Sequence, residues 1–243
     1  MGRILALFYG VVCYAIFFVT FLYAIGFVSG FVVPKTIDSG PVGPLLTRLG
    51  IDVAVLGVFA IQHSVMARPA FKAWWTKAVP PAIERSTYVL FASAALVLIF
   101  WAWRPIPTVL WSVGGPWGQV ILALAAAGWL TVLASTFLIN HFDLFGLRQT
   151  WAYATGKETP PPEFRTPLFY RVVRHPLYLG FIVAFWAAPT MTLGRLLFAA
   201  ATTAYILIAI QLEEHDLTAV FGDVYASYRK RVSMIIPMPP SKA

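Results

Sequence analysis

From Ile4 to Val33 the chain runs without a single charged side chain. About 20 apolar residues in a helix cross a hydrocarbon core of about 30 Å, so this run is long enough to span a bilayer. Three more stretches read the same way: Ile51–Met66, Thr87–Trp103 and Gly118–Ile139. Composition agrees. Hydrophobic residues make up 59% of the sequence and charged residues 12%, against about a quarter charged in ordinary soluble domains. Arg3 ahead of the first apolar run imitates a signal peptide. That run is too long for a signal core and shows no clear small-x-small cleavage site, so it reads as a retained transmembrane helix.

A fifth apolar region, Leu177–Leu212, is interrupted at Ala188-Pro189-Thr190 and again at Gly194-Arg195. As one helix its 36 residues would reach about 54 Å, roughly two crossings. Pro189 removes a backbone donor and favours a break, so a helical hairpin is expected. The basic residues test this. With the N-terminus cytoplasmic and a hairpin at the end, 14 of the 18 Lys and Arg fall inside and 4 outside (Lys35, Arg48, Arg104 and Arg195). That is the bias expected of cytoplasmic loops. A single crossing would send Arg229, Lys230, Arg231 and Lys242 outside and weaken it. The expected fold is therefore an all-α integral membrane protein: four full transmembrane helices, a C-terminal membrane helical hairpin and a cytoplasmic C-terminal segment. It forms a single domain over residues 1–243, with four N-terminal spans in 1–139 and a loop, hairpin and tail in 140–243. The longest polar insertion, Asn140–Arg174, carries Pro160-Pro161-Pro162, which suits a lid or a solvated connector equally.

The net charge of +8 suits cytoplasmic membrane loops, and no nucleic-acid motif accompanies it. Cys13 is the one cysteine, which excludes an intramolecular disulfide and a Cys-based zinc cluster. No two histidines lie close in sequence, so the clustered pairs of membrane di-iron oxidases are missing and no metal is expected. There is no Walker A or GxGxxG loop.

Chemistry concentrates near the C-terminus. Arg174-His175-Pro176-Leu177-Tyr178-Leu179-Gly180 places a proline where the first turn of a helix tolerates it. The free N–H groups of that turn form an anion site. Gly180 would let a ligand or a neighbouring helix approach the backbone closely. Read alone, Arg174 and His175 could instead anchor a helix end in lipid headgroups. After the uncharged run Phe198–Leu212 come Glu213 and Glu214, whose side chains point in different directions on a helix. One could face a site while the other pairs with a basic loop residue; a solvated helical extension is the plainer alternative. With a hairpin, all four groups meet at the cytoplasmic membrane edge, where ionisable residues mark function. Phe221, Tyr225 and Tyr228 recur at helical spacing, either as an aromatic face folded over a pocket or as an amphipathic interfacial helix. Directly after the fourth span, Asn140-His141-Phe142-Asp143 packs polar groups against aromatics, as a small-substrate pocket or as helix caps. His63, beside Gln62, reads as structural.

The ordered set RHPLYLG at 174–180, Ala188-Pro189, Glu213-Glu214, Phe221-Gly222, Tyr225, Tyr228, Val232 and Pro237 resembles the isoprenylcysteine carboxyl methyltransferase and phospholipid N-methyltransferase superfamily. It covers about the last 70 residues. Ala188 departs from the asparagine that many relatives carry before the proline. The resemblance implies a multi-span membrane enzyme using S-adenosyl-L-methionine. Its cofactor would be bordered by Arg174, His175, Pro176, Tyr178, Gly180, Glu213, Glu214, Tyr228 and Arg231. The start MGRILALFYGVVCYAIFFVTFLYAIGFV and the stretch NHFDLFGLRQTW at 140–151 are similar to one bacterial branch, which methylates the small volatile thiol methanethiol to dimethyl sulfide.

On that reading His141 or Asp143 accepts the thiol proton, with Glu214 as a third catalytic candidate, because the thiolate is the competent nucleophile. The implied location is the bacterial inner membrane, with both termini cytoplasmic and the lipid bilayer as partner. Two rival readings stand beside it. One changes the acceptor to a prenylated cysteine carboxylate or a phospholipid amine. The other is a non-catalytic haem-binding membrane protein using His63, His141, His175 and His215.

Overall fold

A computed structural model describes residues 2–158 and 163–237. In chain order its elements begin with α1 (Arg3–Ser29), α2 (Leu45–Ala67), the short α3 (Pro69–Trp75) and α4 (Pro81–Ala102). Strand β1 (Val109–Ser112) leads into α5 (Gly115–Ile139), then α6 (His141–Leu144) and α7 (Leu147–Thr155). The last part holds α8 (Pro176–Trp186), strand β2 (Thr190–Thr192), α9 (Leu193–Phe221) and α10 (Asp223–Arg231). Helices α1, α2, α4, α5 and α9 are long and apolar enough to cross a membrane. The chain is an all-α multi-pass membrane protein. The run Pro160-Pro161-Pro162 lies outside the described residues.

The apolar stretches underestimate the helices. Helix α2 starts at Leu45 and takes in Arg48; α4 starts at Pro81 and takes in Glu84 and Arg85. Proline fits the first helical turn because its missing N–H had no intrahelical partner there, and α4 opens on Pro81. Helix α1 ends before Val33, where Gly30 turns left-handed at φ 83° and returns its N–H to Gly26 O. That is an ordinary glycine stop.

The fifth region does form two helices, but unequal ones. Helix α8 has 11 residues, about 17 Å, too short to cross, while α9 has 29. The break at Ala187–Pro189 is paired rather than loose. Val113 N–H donates to Pro189 O at 2.9 Å, Trp111 Nε1 donates to Ala188 O at 3.2 Å, and the Ser112 and Thr190 hydroxyls meet at 3.0 Å. Gly194-Arg195 does not break the helix, contrary to expectation; both lie in the first turn of α9. The free N–H groups of that turn find partners in extended chain: Leu193 N–H donates to Thr108 O at 2.8 Å and Gly194 N–H to Ile106 O at 3.0 Å. Arg195 is locked there, with Nε 2.6 Å from Asp38 Oδ2 and Nη1 2.8 Å from Val28 O. Thr192 Oγ1 donates to the other Asp38 oxygen at 2.7 Å.

The described chain divides into two compact units. The first contains the described residues of Met1–Thr108, His141–Pro161 and Thr192–Arg195; the second contains those of Val109–Asn140, Pro162–Met191 and Leu196–Ala243. In the first unit, residues 141–155 return to α1 and α4. Phe145 stacks on Phe17 with ring centroids 3.9 Å apart, and Gly146, at φ 87°, leaves no room for a Cβ above the Ser86 backbone N at 2.6 Å. In the second unit α5 and α8 touch backbone to backbone. A Cβ on Gly180 would stand 2.7 Å from Gly128 O and 2.9 Å from Val132 N. Small residues that let backbones close together are how helices associate in lipid, where apolar burial gives little drive. Of the two uses the sequence offers for Gly180, the structure shows the neighbouring helix.

Candidate functional site

The residues with the most chemistry sit in the second unit, where the start of α8 meets the late turns of α9. Pro176 opens α8, with His175 as the extended residue before it. Their backbone is held by the chain after α10: Arg174 N–H donates to Ser233 O at 2.8 Å and His175 N–H to Met234 O at 3.1 Å. Val173 and Ser233 form a parallel bridge. The chain just after α10 thus runs parallel beside the RHP motif at Ser233 and Met234.

Glu214 is the centre of this arrangement. Its side chain is 2% exposed and faces two guanidinium groups and an imidazole. Arg174 Nε donates to Oε1 at 2.7 Å, and His175 Nε2 lies 3.0 Å from the same oxygen. Arg229 Nε is 3.0 Å from Oε2, close enough to pair charge but out of line for a hydrogen bond. Arg174 also ties down the tail, through Nη1 to Arg229 O at 3.0 Å and to Val232 O. A buried carboxylate survives only with this kind of compensation. Glu214 is therefore a clamped anion, with Oε1 already accepting from two donors.

Glu213 points elsewhere, as adjacent helical residues must. Its side chain is 42% exposed, and Oε2 lies 3.8 Å from His175 Nδ1. That oxygen is buried and accepts no hydrogen bond among the described residues. The Tyr225 hydroxyl is likewise buried and unpaired among the described residues, on a side chain only 2% exposed. Buried polar groups without partners are uncommon and call for a reason. Burial raises the Tyr225 and Tyr170 phenols above their ordinary values and pushes Tyr228 up to about 12. All three are neutral donors at physiological pH.

The expected aromatic face forms by a different route. Phe221 ends α9 and Tyr225 and Tyr228 belong to α10, with Gly222 at φ 55° between the helices. Their rings collect around Phe164, at centroid distances of 5.4, 5.9 and 5.3 Å respectively. Tyr228 donates to Tyr170 O at 2.5 Å. The Tyr178 ring lies 5.7 Å from the His175 ring and packs on the Ile206–Ile210–Ile235 cluster. A cleft of about 400 Å³ lined by Thr218, Ala226, Arg229 and Lys230 opens on the same face of α10 as Arg229.

Arg231 is not brought to this group. It is exposed and bonds back to Ser227 O at 3.3 Å. Arg229 takes that place and was missed from sequence. At about 100° per residue it lies about 40° from Tyr225, whereas Arg231 falls on the flank, so angle rather than charge density would have found it. Phe164 carried no signal, being an isolated aromatic in a proline-rich loop.

The other candidates belong to the first unit. His141 is 4% exposed and its Nε2 lies 2.8 Å from the Tyr14 hydroxyl. Burial lowers its pKa, leaving a neutral imidazole able to take a proton. Asp143 Oδ1 accepts from Gln149 Nε2 at 3.0 Å. His63 meets the Tyr88 hydroxyl at 2.9 Å, and His215, in the second unit, is exposed beside Asp216. The four histidines thus each have a separate partner, not a shared centre.

Known proteins fit this chain along its length. The NnrU protein family matches residues 53–221. Methanethiol S-methyltransferase 1 of Bradyrhizobium diazoefficiens is 57% identical over 236 residues, covering 97% of this chain and 83% of that one. The methanethiol S-methyltransferase of Mycobacterium tuberculosis is 55% identical over 240 residues, with 98% of each chain covered. That of Crocosphaera subtropica is 53% identical over 244 residues, covering 100% of this chain and 96% of its own. No solved structure matches the chain. The chain belongs to the NnrU protein family and, within it, to the methanethiol S-methyltransferases.

Proposed function

We propose that this protein transfers a methyl group from S-adenosylmethionine to the sulfur of methanethiol, giving dimethyl sulfide, in a bacterial inner membrane. One observation carries the reading: relatives named for that acceptor match the chain over 97–100% of its length at 53–57% identity. The two termini and the α8–α9 polar cluster are assigned to the cytoplasmic side, supported by the excess of Lys and Arg there.

The donor fits the second unit. Its ammonium and hydroxyl groups need buried acceptors and donors, and Glu213 Oε2 and the Tyr225 hydroxyl are buried polar atoms with no hydrogen-bond partner among the described residues. Those two groups would hold it, with His175 and Tyr228 bordering. Glu214 and Arg174 position them, since together they fix α9, α10 and the tail. When bound, S-adenosylmethionine supplies an electrophilic methyl on a sulfonium.

What remains for the protein is to orient the thiol, exclude water and take its proton. An ordinary thiol, with a pKa of about 8.5, is mostly protonated at neutral pH. His141 is assigned as the base that ends with the proton, directly or through a neighbouring hydroxyl. Asp143 is the weaker choice, because Gln149 occupies one of its oxygens. Alignment in a dry site supplies much of the remaining acceleration.

Headspace gas chromatography tests the reaction. Membranes containing the protein, given S-adenosylmethionine and methanethiol, should release dimethyl sulfide above an empty-vector control. Donor binding without dimethyl sulfide would overturn the acceptor; no donor binding in folded protein would overturn the reading itself.

Tyr225→Phe separates donor binding from folding. Removing an unpaired buried hydroxyl should leave the unfolding temperature unchanged or raised. Donor affinity should fall about tenfold, the loss of a hydrogen bond worth about 1.4 kcal/mol. Isothermal titration with S-adenosylhomocysteine and thermal unfolding on the same sample check both.

A further inference from the structure

Around Tyr14 the first unit gathers an aromatic box that the donor site does not use. Tyr14 lies on the same helix as Phe17 and Phe18, with ring centroids 6.1 and 6.4 Å away. His141, Phe142 and Phe145 approach from α6 and the following turn, at 5.7, 6.3 and 6.3 Å. The box has an exposed and a buried aspect. Phe18 and Phe142 are 42% and 51% exposed, whereas His141 is 4% exposed. Phe18 lies in the candidate span α1, where an exposed ring faces lipid. A neutral, apolar thiol partitions into that lipid and would enter past that ring, and sulfur packs favourably against aromatic edges.

One polar pair lies among these rings: the Tyr14 hydroxyl and His141 Nε2, 2.8 Å apart. We propose that the Tyr14–His141 pair in this aromatic box is the acceptor site, taking a small neutral thiol from the bilayer, with Tyr14 as the residue that receives its proton. This rests on the methyl-transfer reading above. The S–H bond breaks as the phenol oxygen takes the thiol proton, while the phenol's own proton passes to Nε2. The electron pair of the broken S–H bond stays on sulfur, leaving a thiolate, the competent nucleophile. The imidazolium carries the balancing positive charge, so charge and protons balance.

The arrangement gives each partner a reason. A phenol cannot easily take a proton without giving one up, and His141 at hydrogen-bond distance provides the place. Burial keeps His141 neutral, so Nε2 can present a lone pair to the Tyr14 hydroxyl 2.8 Å away. Of these five rings around Tyr14, four are uncharged phenylalanines, and His141 is the titratable one among them.

Tyr14→Phe keeps the ring and deletes only the relay oxygen. With methanethiol at pH 7, kcat should fall by about 10²–10⁴, the usual worth of positioned proton transfer. Affinity for S-adenosylhomocysteine should be unchanged. The variant's rate should then climb about tenfold per pH unit as the thiolate fraction rises, while the parent protein stays flatter. That rescue by pH is what a merely structural tyrosine would not produce. His141→Gln, which retains a polar partner for Tyr14, should show the same climb. A Tyr14→Phe enzyme with the parent kcat and pH profile overturns the proposal, as does a lost rate that pH does not restore. If the parent itself makes no dimethyl sulfide, the methyl-transfer reading fails and this proposal fails with it.

Discussion

Glu214→Gln should unfold or strongly loosen the second unit. The substitution is nearly isosteric, so its effect is electrostatic. Arg174, its side chain 9% exposed, would keep its charge without the anion that compensates it, and the buried His175 would lose its carboxylate partner. Breaking a buried ion pair on one side costs about 3–5 kcal/mol, a large part of the 5–15 kcal/mol that holds a typical protein folded. Thermal unfolding in detergent should show a drop of several degrees or loss of a cooperative transition. Methyl transfer should vanish with it. A variant that melts like the parent would show that Glu214 is not the electrostatic centre of this unit.

Arg174→Lys should have a different signature: a released tail in a protein that still folds. The guanidinium spans Glu214, Arg229 O and Val232 O at once. A lysine carries a point charge and cannot form that fork. It can still neutralise Glu214, so the stability loss should be smaller than in Glu214→Gln. What goes is the hold on the chain after α10. Limited trypsin digestion reads this directly, since Arg229, Lys230 and Arg231 lie just before that segment. Cleavage there should speed up about tenfold or more, the consequence of losing about 1.4 kcal/mol of local closure. Unchanged cleavage would place the anchorage in the Ser233 and Met234 backbone bonds alone.

The sequence made the membrane class and the hairpin legible because both rest on strong signals, long apolar runs and a proline in the middle of one. It also brought Arg174, His175 and Glu214 together correctly, since a hairpin leaves its two ends side by side. Helix ends were harder. Arg48 and Glu84 lie inside helices that hydropathy alone would have started later, and Glu214 inside one it would have stopped earlier. Gly194-Arg195 looked like a breaker, yet extended chain at Ile106–Thr108 caps that turn from far away, which no local pattern encodes. Asp52 in α2 is fully buried and accepts Arg104 N–H at 2.8 Å; its partner too lies far along the chain. Tyr14 was hidden for the same reason. In a run of aromatics it looks like another lipid-facing ring, and only the return of residues 141–145 gives it a partner.

The glycine seam between α5 and α8 has a consequence for how this protein behaves in the cold. Apolar burial weakens on cooling because its drive near room temperature is largely entropic. The seam draws instead on backbones in direct contact at Gly128 and Gly180, and such dispersion contacts fade steeply with separation but little with temperature. The α5–α8 pair should therefore remain tightly associated at low temperature, and chilled membranes would retain it intact.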